Sequence, residues 1–123
     1  MNFFRATVAA PDGRPVADAG FARIPLNGGG AAAMGKDVIV GLRPEDIHDL
    51  GHATADRRLP VDATVEVVEY LGNELQLYLA AGDARLIARV SPDTRTQPGA
   101  PIRVGFDLRK IHLFDSGTEA AIR

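Results

Sequence analysis

Cysteine and tryptophan are absent from the 123-residue chain, and aromatic residues make up only 6% of it. Without cysteine the chain has neither a disulfide framework nor a thiolate metal site, a composition that fits a reducing compartment. Its apolar runs are far shorter than the roughly 20 residues that a membrane-spanning helix needs, and it does not open on a charged segment followed by an apolar one. We therefore expect a protein that is neither exported nor embedded in a membrane by its own segments.

Neither sign of charge predominates in the chain. The chain has 14 basic and 16 acidic residues, which give a formal net charge of −2. A surface that holds a phosphate backbone needs clustered Lys and Arg, and binding of single strands also needs exposed aromatic rings. This composition disfavours an oligonucleotide-binding function, so we expect no nucleic-acid partner.

Apolar residues recur at every second position along most of the chain, which predicts β-strands. Gly and Pro interrupt the pattern at fairly even intervals, as is typical of a sandwich or a small closed barrel. Helix is expected only as brief turns near 44–50, with an extension toward Asp56 left open. With 46% hydrophobic residues in 123 positions, the chain can bury one core. The sequence therefore predicts an all-β fold with residues 1–123 as a single domain. Strands are expected over residues 4–8, 21–26, 38–43, 61–81 in two arms, 85–90, 102–106 and 111–113.

The segment 61–81 predicts a hairpin with an irregularity. Gly72-Asn73 is typical of a two-residue hairpin loop, but the apolar face changes phase at Val67-Val68. One extra residue near Glu66-Val67 would restore the buried face, so we predict a β-bulge there. The resulting register places three pairs on one side: Tyr70 with Leu75, Val68 with Leu77, and Val65 with Leu79.

One local pattern imitates a phosphate-binding loop. Gly30 to Lys36 has the skeleton of a Gly, four spacers and Gly-Lys. However, Asp37 occupies the place of the Ser or Thr that meets magnesium, and the segment leads into a strand instead of opening a helix. The sequence therefore predicts no cofactor site in this loop.

A second pattern imitates a metal site. Asp46, His48, Asp49 and His52 lie close together, and the two histidines would share a face of a helix, a spacing that zinc sites use. No further Cys or His lies nearby to complete the ligand set, so solvated turn residues are the preferred interpretation. Nothing marks a nucleophile either, because neither serine lies in a strained turn between strand and helix. We expect no metal ligands and no catalytic residues in this chain.

Two polar corners are the candidate contacts with a partner. Pro44 holds Arg43 in the extended region and supplies a fixed φ for a first helical turn, where Glu45 and Asp46 meet the positive end. This is a sufficient structural account, and the functional alternative is that Arg43, Glu45 and Asp46 contact a partner. Three residues around the hairpin, Glu69, Asn73 and Glu74, are also candidate contacts. For Glu69 and Glu74 the structural alternative is that they keep strand ends soluble.

Four fragments together resemble a known family. Residues 41–46, GLRPED, resemble the G-[IL]-R-P-E signature in the C-terminal regulatory domain of ATP-binding-cassette (ABC) importer ATPases of the maltose, glycerol 3-phosphate and related sugar type. Residues 1–3 (MNF), 67–74 (VVEYLGNE) and 110–115 (KIHLFD) resemble other motifs of that domain, in the same order. The likeness spans nearly the whole chain.

The resemblance implies an OB-like small barrel of the type called TOBE, for transport-associated OB. In that family the domain follows a nucleotide-binding domain that holds ATP and magnesium. The chain would then be a fragment that lacks this N-terminal domain, would bind no cofactor and would not hydrolyse ATP. The resemblance implies a cytoplasmic location at the inner face of the cell membrane, within a transporter complex.

The resemblance also implies partners. They are a second copy in a homodimer, membrane subunits reached through the missing ATPase domain, and in some members a regulatory protein. Relatives of this fold bind molybdate or other oxyanions, so a stand-alone oxyanion-binding module is the alternative. No Ser-Ala-Arg-Asn motif of that kind is present.

Overall fold

The computed structural model describes residues 1–26, 34–50, 58–117 and the backbone of 121–122. These residues form β-strands and two short 3-10 turns, Pro44–Asp46 and Leu108–Lys110, as the alternation predicts. The strands are β1 Asn2–Ala9, β2 Val16–Asp18, β3 Arg23–Pro25, β4 Asp37–Leu42, β5 Ile47–Asp49, β6 Arg58–Tyr70, β7 Leu75–Ala81, β8 Ala84–Val90, β9 Pro101–Asp107, β10 His112–Asp115 and β11 Ala121–Ile122. None of the helical turns in these residues is long and apolar enough to cross a membrane.

The strands belong to two antiparallel sheets. One has the order β11-β10-β4-β1-β2-β3 and the other the order β5-β9-β6-β7-β8. Side chains from both sheets form one hydrophobic core, so the sheets curl around a shared interior. The prediction of an all-β, OB-like small barrel is confirmed.

The core is built by strict alternation along each strand. In β1, Phe4, Ala6 and Val8 point inward while the residues between them are exposed. Because strand side chains alternate between faces, this pattern buries one face of each sheet. Burial of each large apolar side chain stabilises the fold by about 2 kcal/mol. The largest buried side chains are Phe106, Ile24, Leu42, Ile47, Leu75, Leu77, Leu79 and Leu86.

The predicted bulge is present in the hairpin of β6 and β7. The pairing passes from Val65 opposite Leu79 to Val67 opposite Tyr78, so that Glu66 is the extra residue. All three predicted cross-strand pairs are observed. Because of the bulge, Val65 before it and Val68 after it lie opposite core-facing residues of β7, Leu79 and Leu77. These two residues and Leu75 are buried.

One expectation for this hairpin was wrong: Tyr70 lies on the same face as Leu75, as predicted, but it is not buried and is 77% exposed. Strand β6 pairs with β9 only as far as Thr64, and beyond it has β7 as its one neighbour in the described sheet. The end of β6 is therefore an edge, and it leaves Tyr70 in solvent although its partner Leu75 is buried.

The segment after Arg43 contains less helix than the sequence suggests. A single 3-10 turn, Pro44–Asp46, is followed at once by β5, which pairs with β9. Ile47 is fully buried in that strand, and a buried β-branched side chain favours strand over helix. The suggested extension toward Asp56 lies outside the described residues, as does His52.

Asn2 connects the two sheets. Its side chain is 6% exposed and hydrogen-bonds to the backbone of Leu42 in β4 and of Ile87 in β8. Strand β8 is the last strand of its sheet, so its outer edge needs partners from elsewhere. The Asn2 amide provides them.

Candidate functional site

The first candidate contact region is the turn after β4. Arg43 is extended, with φ −74° and ψ 148°, and its carbonyl accepts a hydrogen bond from the Asp46 backbone N–H at 2.9 Å. Arg43 and Glu45 are exposed, whereas Asp46 is half-buried. The turn packs against β8. It is therefore a fixed polar corner, with the Arg43 and Glu45 side chains facing solvent.

The second candidate contact region is the tip of the β6–β7 hairpin. The Leu71 backbone N–H donates to the Glu74 carbonyl at 2.9 Å, and Gly72 has a φ of +75°. Such a φ favours glycine, which accounts for Gly72 as a backbone requirement. Asn73 and Glu74 are exposed at the tip.

Glu69 lies behind this tip, on the outer face of the sheet. Gln76 Nε2 in β7 donates a long hydrogen bond to Glu69 Oε1 at 3.5 Å. Arg89 Nε in β8 donates one of the same length to Gln76 Oε1. Glu69 is thus part of a polar row across three strands. In the described part of the chain, no hydrogen bond or ion pair joins the hairpin to the turn at Arg43.

The structure reveals a surface that the sequence analysis missed, an apolar band on the outside of the barrel. Val67, Tyr78 and Ile87 lie opposite one another across β6, β7 and β8. Their row continues onto the other sheet, where the edge-to-face pair of Phe3 and Phe114 has ring centroids 6.1 Å apart. We define the apolar band as Met1, Phe3, Val67, Tyr78, Ile87 and Phe114.

Gly41 lies under one end of the apolar band. A Cβ at this position would come within 2.9 Å of Met1 Sδ and 3.0 Å of Phe114 Cε2. A side chain at residue 41 would therefore displace Met1 and press on Phe114, because the side chains of the band cross directly over the β4 backbone. The close approach of these side chains favours glycine at this position.

Polar groups border the apolar band on both sides. Along one side, Arg85 Nε lies 3.1 Å from Glu66 Oε1. Along the other side runs the row of Glu69, Gln76 and Arg89. Between the sheets the band contains a shallow cleft of about 500 Å³, lined by Met1, Phe3 and Val67 among others. An apolar centre with a polar border is the anatomy of a protein–protein interface.

A signal for this surface exists in the sequence. Strands β7 and β8 carry apolar residues at both parities, as in Leu77-Tyr78-Leu79 and Leu86-Ile87-Ala88. Strands with two apolar faces are typical of sheets covered on both sides. The third residue of the row, Val67, cannot be recognised in this way. The bulge turns Val67 outward, although Val65 two positions earlier is buried.

A second, polar cleft of about 630 Å³ lies beside the loop after β8, lined by Tyr70, Pro92, Asp93, Thr94, Arg95 and Thr96. Thr94 is 5% exposed, and its hydroxyl has no hydrogen-bond partner. Its backbone N–H donates to the Ser91 carbonyl at 3.0 Å. The loop geometry therefore holds Thr94 inward although its hydroxyl is unsatisfied.

One charged cluster stabilises the end of β9. Arg109 donates two hydrogen bonds to the Asp107 carboxylate, from Nε at 3.2 Å and from the backbone N–H at 3.0 Å. These bonds lower the pKa of the Asp107 carboxyl. Burial lowers the pKa of His48, and the nearby Arg58 guanidinium lowers it further. Asp107 caps the 3-10 turn that follows it, so the cluster has a structural explanation.

No group of three or more residues that could hold a metal ion occurs among residues 1–26, 34–50 and 58–117. Of the pattern that imitates a phosphate-binding loop, Met34, Gly35 and Lys36 are described, and they lead directly into β4.

Two family models match the chain. Residues 40–114 match the TOBE domain, and residues 1–47 match the MalK OB fold domain. The two matches overlap at the end of β4 and together extend from Met1 to Phe114, which includes both polar corners and the apolar band.

Curated relatives are ATP-binding proteins of importers. The chain is 45% identical over 89 residues to the sulfoquinovosyl glycerol transport ATP-binding protein SmoE of Agrobacterium fabrum, a match that covers 72% of this chain and 24% of that protein. It is 41% identical over 91 residues to the oligosaccharides import ATP-binding protein MsmX of Bacillus subtilis, covering 73% and 25%. The chain thus spans about a quarter of the length of these relatives.

A solved structure shares the fold. It is the cytoplasmic molybdate-binding protein ModG with molybdate bound, which superposes with a TM-score of 0.69 at 19% identity, covering 92% of this chain and 94% of that one. At this identity the likeness supports the architecture alone.

Proposed function

Because the chain belongs to the TOBE domain family, we propose that it is the C-terminal regulatory and dimerisation domain of the ATP-binding subunit of an ABC transporter that imports sugars or related small solutes. The observation that carries this proposal is the match of residues 40–114 to the TOBE domain, together with relatives that are importer ATP-binding proteins. ATP and magnesium would be bound by the nucleotide-binding domain that precedes this region.

A rigid barrel suits this role. Two motor domains that are held together by paired C-terminal domains meet at a high effective concentration, so that closure on nucleotide becomes nearly intramolecular. Stiffness is the required property, and the shared core with antiparallel pairing throughout both sheets supplies it. The domain would contribute to transport through position and not through chemistry.

The proposed contacts with a second copy or a regulatory protein are the two polar corners. They are Arg43, Glu45 and Asp46 on the turn, and Glu69, Asn73 and Glu74 around the hairpin. Arg43 and Glu45 project from a turn that is fixed against β8, and a guanidinium group is well suited to bind a carboxylate. Through the preceding domain, the subunit would meet the membrane subunits at the inner face of the membrane.

The experiment compares the whole ATP-binding subunit with a version that ends before the residue equivalent to Met1. Sedimentation velocity should show a dimer for the subunit without nucleotide and a monomer for the truncated protein. Charge reversal at the turn, R43E with E45K, should weaken the dimer. The matched control is the double charge reversal D12K with R14E on the exposed turn after β1. This control should leave the dimer intact. Equal self-association of whole and truncated subunits would refute the dimerisation role.

The alternative is a stand-alone oxyanion-binding module. A molybdate-binding protein has the same fold, which raises this alternative, although the likeness at 19% identity concerns the architecture alone. Isothermal titration of the chain with molybdate and sulfate separates the two proposals. Saturable binding of either anion would support the module, whereas the domain of a sugar importer should give only heats of dilution.

A further inference from the structure

We propose that the apolar band is the docking surface for the domain that precedes Met1 in the longer ATP-binding subunit. The inference rests on the proposed function, because it requires such a domain. It adds the face of the barrel that is covered and the chemistry of the contact.

The first argument is exposure. Phe3 is 59% exposed, Met1 49% and Val67 48%, and these side chains lie around a single cleft. Scattered exposed apolar residues are normal on a protein surface, but contiguous ones mark a binding site. The apolar band is contiguous across both sheets, from Val67 in β6 to Phe114 in β10.

The second argument is the border. The ion pair of Glu66 with Arg85 lines one side of the cleft, and the row of Glu69, Gln76 and Arg89 runs along the other side of the band. Charged groups are depleted at the centre of interfaces and retained at the rim. The band thus has the composition of a surface that a folded protein covers, and a small polar ligand would find few hydrogen-bonding groups at its centre.

The third argument identifies the occupant. Met1 is itself a member of the band, so a polypeptide that precedes it enters the barrel at this surface. The match covers only about a quarter of each of these relatives, so a large domain is available in a subunit of their kind. A domain tethered at Met1 has a high local concentration at the band, which favours intramolecular packing over binding of a free partner.

The experiment uses cysteine labelling, which the absence of native cysteine makes selective in this region. V67C is introduced into the 123-residue chain and into the whole subunit, and alkylation of the peptide containing residue 67 is followed by mass spectrometry. The control is D12C, on the exposed turn after β1, at the opposite end of that strand from Phe3. Residue 67 should react at least about tenfold more slowly in the whole subunit, because the thiol becomes reactive only when the docked domain opens, and residue 12 should react equally in both.

Each outcome is decisive. Equal reaction of V67C in the chain and the subunit would overturn the docking proposal and leave the transporter assignment standing. Slowing in the isolated chain as its concentration rises would assign the band to a second copy and would also overturn it. A gene with no domain before Met1 would remove the proposed function and the docking proposal together.

A second variant tests the same surface by stability. V67K places a charge on the apolar band, at a position that is 48% exposed in the isolated barrel. The melting temperature of the isolated chain should stay unchanged, whereas that of the whole subunit should fall. A fall of the same size in both would contradict docking, and so would no change in either.

Discussion

The side-chain amide of Asn2 pairs with the backbone of Ile87 in both directions. Asn2 Nδ2 donates to the Ile87 carbonyl at 2.8 Å, and the Ile87 backbone N–H donates to Asn2 Oδ1 at 2.6 Å. The same Nδ2 also donates to the Leu42 carbonyl at 3.1 Å. The amide thus offers β8 the donor and the acceptor that a neighbouring strand would offer. This gives the asparagine of the MNF motif a structural role.

Replacement of Asn2 by alanine should destabilise the barrel by about 2 kcal/mol, because it removes these hydrogen bonds and leaves backbone groups of β8 and β4 without partners. Urea denaturation of the chain measures the difference. T7A is the matched control on the same strand, since the Thr7 hydroxyl bonds to Asp37 at the exposed surface, and it should change stability by less than about 0.5 kcal/mol. Equal effects of the two substitutions would show that Asn2 does not join the sheets.

Replacement of Thr94 by valine should stabilise the protein by about 1 kcal/mol. The Thr94 hydroxyl is buried without a partner, and a methyl group of similar size would avoid that desolvation penalty. Thermal or urea unfolding tests this, with T64V at an exposed position of β6 as the control. A loss of stability in T94V would show that the hydroxyl has a partner in solution.

Stability should fall as the pH is lowered below about 6.5, through His48. Burial places the pKa of His48 in the folded state below its ordinary value of 6.5. The unfolded state therefore binds a proton first as the pH falls, and folding is disfavoured. In urea denaturation at pH 7.5, 6.5 and 5.5, H48N should lose less stability than the native chain. Parallel losses would exclude His48 as the source.

Asp107 makes a separate contribution at lower pH. Its hydrogen bonds with Arg109 lower its pKa from the ordinary 3.8, so the stabilisation is complete above that value and is lost as the pH falls through the lowered pKa. R109A should therefore unfold at a higher pH than the native chain in an acid titration followed by circular dichroism. An unchanged acid midpoint would contradict this role.

Replacement of Gly72 by valine should destabilise the hairpin by about 1–2 kcal/mol, since its φ of +75° is unfavourable for a β-branched residue. G72N should lose less, because asparagine tolerates this region. Urea denaturation of both variants gives the comparison. If the two substitutions have equal effects, the positive φ is not what requires glycine here.

Local patterns predicted a large part of this fold. The phase change at Val67-Val68 was sufficient to predict the bulge, since alternation must restore the same buried face on both sides of it. Tyr70 was placed inside by the same logic, and it is exposed because β6 continues beyond the end of β9. Alternation reports which face a residue points to, but not whether another strand covers it.

The features that the sequence did not reveal depend on contacts between residues far apart in the chain. Asn2 contacts a strand 85 positions away, and nothing in its neighbours indicates that partner. The apolar band likewise needs the order of the strands, because Val67, Tyr78 and Ile87 become neighbours only through pairing. Of the six residues at the two polar corners, five are exposed, as a contact with a partner requires, and Asp46 is partly covered. Their role as contacts stays a prediction.

The hydrogen bonds of Asn2 indicate where the barrel opens most easily, which is between β8 and the six-stranded sheet. Between β8 and the six-stranded sheet, a single amide provides hydrogen bonds where other strand pairs have a ladder of them. Sub-global opening follows the least protected contacts. In native-state hydrogen exchange, the amide proton of Ile87 should therefore exchange well before those of Leu77 and Leu79. The side chain of Ile87 belongs to the apolar band, so a protein that covers the band would also slow this opening.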